Sequence, residues 1–193
     1  MDTNLPNLLT LSRIAVIPLI IAAFYLPVPA SNWTAFGLFA YASVTDYFDG
    51  MLARRRNQTS DFGRFLDPIA DKLLVAAVLI MMVAAGTIAG AAVIAAMLIL
   101  LREILVSGLR EFLAGRQIGV PVSRLAKWKT GVQMVAIALL LLTDALPQVA
   151  AVGTGLLWIA AVLTVYTGYD YLRGSIAQLT ATPERADPAA DRR

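Results

Sequence analysis

Residues 46–71 read DYFDGMLARRRNQTSDFGRFLDPIAD, a run with five aspartates and four arginines inside a chain that is 59% hydrophobic. Asp46 and Asp49 are three apart, with Gly50 and Ala53 following at four and seven from Asp46, so on a helix all four share one face. Gly63, Asp67 and Asp71 repeat at intervals of four and stack on one face of a second helix. Pro68 suits the first turn of a helix entering an apolar layer. A plainer account makes Asp67 an N-cap and pairs Asp71 with Lys72. Carboxylates converging from two helix ends repel each other, and each costs about 2.5–3.5 kcal/mol at the centre of a bilayer. Divalent cations would remove that repulsion.

Working outward, the chain has 193 residues, a mean hydropathy of +0.71 and 15% charged residues, where a soluble domain carries about 25%. This is the composition of a polytopic membrane protein. Met1–Asn7 carries no basic run and no cleavage site follows the first apolar core, so that segment is expected to remain as a helix. Cysteine and histidine are both absent, which excludes disulfides, zinc–thiolate sites, Cys nucleophiles and His bases. An all-carboxylate donor set favours Mg²⁺, Mn²⁺ or Ca²⁺ over zinc or copper.

A window of about 20 apolar residues predicts six transmembrane helices near 7–27, 33–53, 67–86, 88–110, 124–143 and 149–170. The turns LPVPASNW, AGTIAG and TDALPQ contain no Lys or Arg. The opposite side receives Arg54, Arg55, Arg56, Arg64, Arg110, Arg116, Arg124, Lys127, Lys129 and Arg173. That asymmetry places both termini in the cytoplasm. The expected fold class is therefore all-α, with a six-helix membrane domain over 1–175 and a polar, disordered cytoplasmic tail over 176–193.

The spacing Asp46-x2-Asp49-Gly50-x2-Ala53-Arg54-x8-Gly63-x3-Asp67-x3-Asp71 resembles the signature of the CDP-alcohol phosphotransferases. The resemblance implies that Asp46, Asp49, Asp67 and Asp71 bind metal, Mg²⁺ or Mn²⁺ and two ions, with Asp71 also the general base. It implies that Asp49, Gly50, Ala53, Arg54 and Gly63 meet the CDP group, the small residues letting the nucleotide lie close. NLPNLLTLSRI and LREILVSGLREFLAG are similar to segments of the bacterial branch of that family that transfers a phosphatidyl group from CDP-diacylglycerol to glycerol 3-phosphate. By that resemblance the enzyme would be a homodimer in the cell (inner) membrane with its active site facing the cytoplasm.

A phosphorylated acceptor needs cationic anchors, and Arg102, Arg110, Arg124 and Lys127 are the candidates. The alternatives are pairing of Arg102 with Glu103, and anchoring of the other three at headgroups. Asn7, Thr10 and Arg13 form a polar stripe that either faces the site or snorkels to the interface. Inositol phosphate, serine or phosphatidylglycerol are alternative acceptors. A divalent-cation transporter is a reading from another class, but the opposite half of the chain offers little acidic beyond Asp144. No nucleic-acid partner is expected.

Overall fold

The computed structural model describes the backbone of residues 5–56, 61–116 and 124–181, and within these the side chains of 5–9, 47–56, 61–65, 67, 124, 126, 127 and 181 lie outside the description. The described chain folds as α1 (Leu5–Ala23), α2 (Ala30–Arg56), α3 (Asp61–Ala84), α4 (Ala92–Gly115), α5 (Arg124–Leu141) and α6 (Ala150–Ala181), with a short 3-10 turn at Pro147–Val149 before α6. No strand occurs among the described residues. The expected all-helical class holds.

Apolar runs rich in Ala and Leu favour helix by propensity, and punctuation sets where each helix stops. Between α3 and α4, Gly86 and Gly90 take φ of 79° and 56°, a left-handed backbone that glycine enters without steric cost. AGTIAG is thus the tight turn its composition predicts. The helix that carries Asp67 and Asp71 begins earlier than expected, at Asp61, which puts Pro68 inside α3 instead of in its first turn. Lys72 Nζ donates to the Pro68 carbonyl at 2.9 Å. At the other end, α6 runs through 176–181, which the sequence assigned to the tail; 182–193 lie outside the described residues.

α1 packs on α2 and α3, α6 packs on α4 and α5, and α2 meets α5 between the two groups. One buried cluster draws from all six helices, with Ile20, Phe39, Leu79, Ile99, Ile137 and Leu157 among its members. Asn32 on α2 donates its Nδ2 to the Leu141 carbonyl at the end of α5, at 2.8 Å. That bond satisfies one of the terminal carbonyls every helix leaves open.

The outer surface is as apolar as the core. Ile104 of α4 and Val162 of α6 are 69% and 65% exposed, and Leu101, Leu105, Ile159 and Val165 are exposed beside them. A soluble monomer rarely tolerates such faces, whereas lipid tails cover them at no cost. Among the described residues, α4 and the stretch Pro147–Thr180 are long and apolar enough to cross a membrane. α1 and α5 contribute shorter apolar stretches, Thr10–Ala23 and Trp128–Leu141. α2 and α3 carry their charged residues at the end where the 46–71 run lies.

Candidate active site

Three helices converge on one charged group. Arg13, on α1, is fully buried. Its Nη1 lies 2.9 Å from Asp46 Oδ1 on α2 and 2.5 Å from Asp71 Oδ1 on α3. A single guanidinium nitrogen therefore holds two carboxylates from different helices, and their Oδ1 atoms are no further apart than those two contacts together. The carboxylates remain accessible, each side chain 46% exposed. Thr10, one turn before Arg13, is buried on the same helix. Thr10 and Arg13 of the polar stripe are thus turned inward instead of reaching for the interface, while the side chain of Asn7 lies outside the described ones.

Asp49 lies one turn beyond Asp46 in unbroken α2, and Asp67 one turn before Asp71 in unbroken α3. Their side chains, and those of Ala53, Arg54 and the positions of Gly50 and Gly63, lie outside the described ones. Among the described residues no group of three or more His, Cys, Asp or Glu gathers. The donor chemistry nonetheless fits a hard cation. The chain has neither histidine nor cysteine, and two half-exposed carboxylates from neighbouring helices already share one positive partner.

A second charged cluster joins α4, α5 and α6. Lys129 is buried on α5 and its Nζ donates to Glu103 Oε1 on α4. Arg102 Nη1 meets the same Oε1 at 3.2 Å, and Arg102 Nη2 donates to Thr167 Oγ1 on α6 at 3.2 Å. The arginine stem runs over Gly168, where a Cβ would come within 2.8 Å of Arg102 Cγ. Here the absent side chain is what allows α4 and α6 to approach. Lys72 on α3 lies within electrostatic reach of Asp71, Glu103 and Arg110, so both clusters occupy the same end of the bundle.

Of the four cations expected to anchor a phosphate, Arg102 is engaged in this network. Arg110 is exposed, its Cζ 5.8 Å from the centroid of the Tyr171 ring. Arg124 and Lys127 sit in the first turn of α5 with side chains outside the described ones. Sequence reasoning did not single out Lys129, counting it among the surface-anchoring basic residues. The available signal was the spacing from Lys127, since positions two apart lie on nearly opposite faces of a helix.

These features define an all-helical protein of membrane character whose charged residues are gathered at one end of the bundle. The family model described as CDP-alcohol phosphatidyltransferase matches residues 3–166, and the chain belongs to that family. Relatives named CDP-diacylglycerol–glycerol-3-phosphate 3-phosphatidyltransferase include that of Rickettsia bellii, 49% identical over 175 residues, covering 89% of this chain and 95% of that one. The Escherichia coli relative of the same name is 44% identical over 181 residues, covering 93% and 98%. Among solved structures, the apo phosphatidylinositol phosphate synthase of Mycobacterium tuberculosis superposes with a TM-score of 0.57 over 94% of this chain and 90% of that one. At 19% identity that likeness concerns the fold alone.

Proposed function

We propose that this chain transfers the phosphatidyl group of CDP-diacylglycerol to the hydroxyl of sn-glycerol 3-phosphate, releasing CMP and forming phosphatidylglycerophosphate. The observation that carries the chemistry is the convergence of Asp46 and Asp71 on buried Arg13, beside the two further aspartates of the same helix faces. The name shared by relatives at 44–49% identity supports the acceptor.

Asp46, Asp49, Asp67 and Asp71 would hold Mg²⁺ or Mn²⁺, two ions in all. Divalent cations so held withdraw charge from a pyrophosphate under attack. Gly50, Ala53 and Gly63 leave room for the nucleotide, and Arg54 meets its phosphates. Asp71 takes the proton of the acceptor hydroxyl as that oxygen attacks the phosphorus next to the diacylglycerol. The bond from that phosphorus to the CMP oxygen breaks, and CMP carries away the electron pair. Half-exposure of Asp71 gives the acceptor access to it.

The second cluster bears on the acceptor. Arg102 and Lys129 share one carboxylate, Glu103, so two cations face one anion and the group carries an excess of positive charge. A phosphate monoester supplies the missing negative charge, with Arg110, Arg124 and Lys127 available near the same ends of α4 and α5. Inositol phosphate would satisfy the same excess; serine would not. In this reading the six helices are six spans with both termini cytoplasmic, in the cell membrane, with the charged end facing the cytoplasm, where glycerol 3-phosphate is dissolved and CMP is released. The exposed apolar faces of α4 and α6 also suit a homodimer.

The test is CMP release by the purified chain in detergent with CDP-diacylglycerol and Mg²⁺, offering glycerol 3-phosphate, inositol phosphate, serine and phosphatidylglycerol separately. Release is expected with glycerol 3-phosphate and is expected to stop when a chelator removes divalent cation. Turnover only with another acceptor would overturn the acceptor assignment, and turnover in the chelator would overturn the metal-assisted mechanism.

A further inference from the structure

We propose that Asn32 is a positioning residue for phosphatidyl transfer: its hydrogen bond across the bundle fixes the register of α2 against α5, and with it the relative level of the two charged clusters. The inference rests on the transfer reaction proposed above and goes beyond it, to what aligns the two halves of the site.

The helices form two groups, α1–α3 and α4–α6, and each holds one charged cluster. Asp46 ties α2 to Arg13, and Lys129 ties α5 to Glu103. α2 meets α5 between the groups, so the offset of these two helices along their axes sets the offset of the clusters. Apolar packing leaves that offset weakly defined. α2 contributes Ala35, Phe39 and Ala42 to the buried cluster, and α5 contributes Ala136, Ile137 and Leu140. Small and aliphatic side chains also pack in neighbouring registers, and in lipid no hydrophobic force drives helices together.

Asn32 removes this ambiguity. It is buried in the first turn of α2, and its Nδ2 donates to the Leu141 carbonyl, 109 positions away, at 2.8 Å. Its Oδ1 is buried without a hydrogen-bond partner among the described residues. For stability alone an apolar side chain of similar size would serve better, because an unmatched buried acceptor carries a desolvation cost. A buried asparagine kept at such a cost is a device by which packed helices settle on one register. The bond is a common reference point for both clusters. Asp46 lies 14 residues beyond Asn32 along α2, about 21 Å at 1.5 Å per residue. Lys129 lies 12 residues before Leu141 along α5, about 18 Å. A slip of one turn would carry one cluster past the other by about 5.4 Å, whereas a misplacement of about 1 Å already slows a reaction between held groups.

The experiment compares Asn32→Leu, which keeps the volume, and Asn32→Gln, which keeps the amide donor, with the natural chain in detergent. CMP release is followed with CDP-diacylglycerol, glycerol 3-phosphate and Mg²⁺. Asn32→Leu should lower kcat about tenfold or more and leave KM for each substrate within about twofold, because each half of the site stays intact. Its thermal unfolding midpoint should be unchanged or raised. Asn32→Gln should retain most of kcat. A second measurement reads the register itself. The chain has no cysteine, so spin labels on Val44→Cys in α2 and Trp128→Cys in α5, both exposed positions, report their separation by pulsed EPR after dilution with unlabelled chain. One narrow distance is expected with Asn32 present, and a distribution broadened by up to about 5 Å with Asn32→Leu. An unchanged kcat or an unchanged distance distribution in Asn32→Leu would overturn the proposal. So would a midpoint that falls along with kcat, or failure of that variant to fold, since Asn32 would then be a structural residue only. A loss in Asn32→Gln as large as in Asn32→Leu would place the effect in packing and is equally contrary. A natural chain that gives the narrow distance yet releases no CMP would instead overturn the reaction reading beneath the proposal.

Discussion

The two charged clusters of this bundle use the same ingredients in opposite proportions. In the α1–α3 cluster the cation is buried and the anions are open: Arg13 has no exposed side-chain surface, while Asp46 and Asp71 each keep nearly half of theirs. In the α4–α6 cluster all three members are withdrawn, with Arg102, Glu103 and Lys129 at 13%, 19% and 5%. The first has two anions to one cation among the described residues; the second has two cations to one anion. An open excess of negative charge is suited to gathering cations, and an excess of positive charge to attracting phosphate. Sign and exposure together, more than the number of ion pairs, distinguish a cluster built for chemistry from one that also holds helices together.

Three substitutions test that contrast. The largest effect should come from Asp71→Asn, which removes the proposed proton acceptor and leaves the shape; loss of a general base costs about 10²–10⁴-fold in turnover. The unfolding midpoint should change little, and activity near that of the natural protein would remove Asp71 from the mechanism. Glu103→Gln should act the other way round, through stability. Taking the anion that Arg102 and Lys129 share leaves buried charge uncompensated, a cost of about 3–5 kcal/mol. A denaturation midpoint unchanged in that variant would mean the second cluster is not structural. Gly168→Ala should show the smallest effect. The new methyl meets the flexible stem of Arg102, and overpacking of this kind costs about 1–3 kcal/mol. If unfolding is unaffected, the arginine shifts freely and the α4–α6 contact does not depend on its path.

Most of the helical architecture was legible in the sequence because it follows from local rules. Long apolar runs give the helices, and the glycine-bearing turn at 86–90 is written in residue types that tolerate a left-handed backbone. The boundaries of α3 and α6 were less legible. Polar first and last turns such as DFGRFL and GSIAQL carry no apolar periodicity, yet they continue helices already nucleated by the buried segments beside them. In the site, spacing along one helix sets Asp46 one turn from Asp49 and Asp67 one turn from Asp71 on the backbone, because that is a property of one helix. The partners of Arg13 and Lys129 were not legible. Arg13 reaches a residue 58 positions away and Lys129 one 26 positions away, and a lone basic residue in an apolar helix looks the same whether it snorkels or pairs. Packing between helices decides which, and no local pattern encodes it.

α6 is 32 residues long, or about 48 Å at 1.5 Å per residue, against a hydrocarbon layer of about 30 Å. Even tilted by about 40° it would overshoot the layer by several ångströms. Arg173 lies in the last third of this helix. A helix that crosses such a layer must reach into the headgroup region at one end or both, where a charged side chain finds water and phosphate partners.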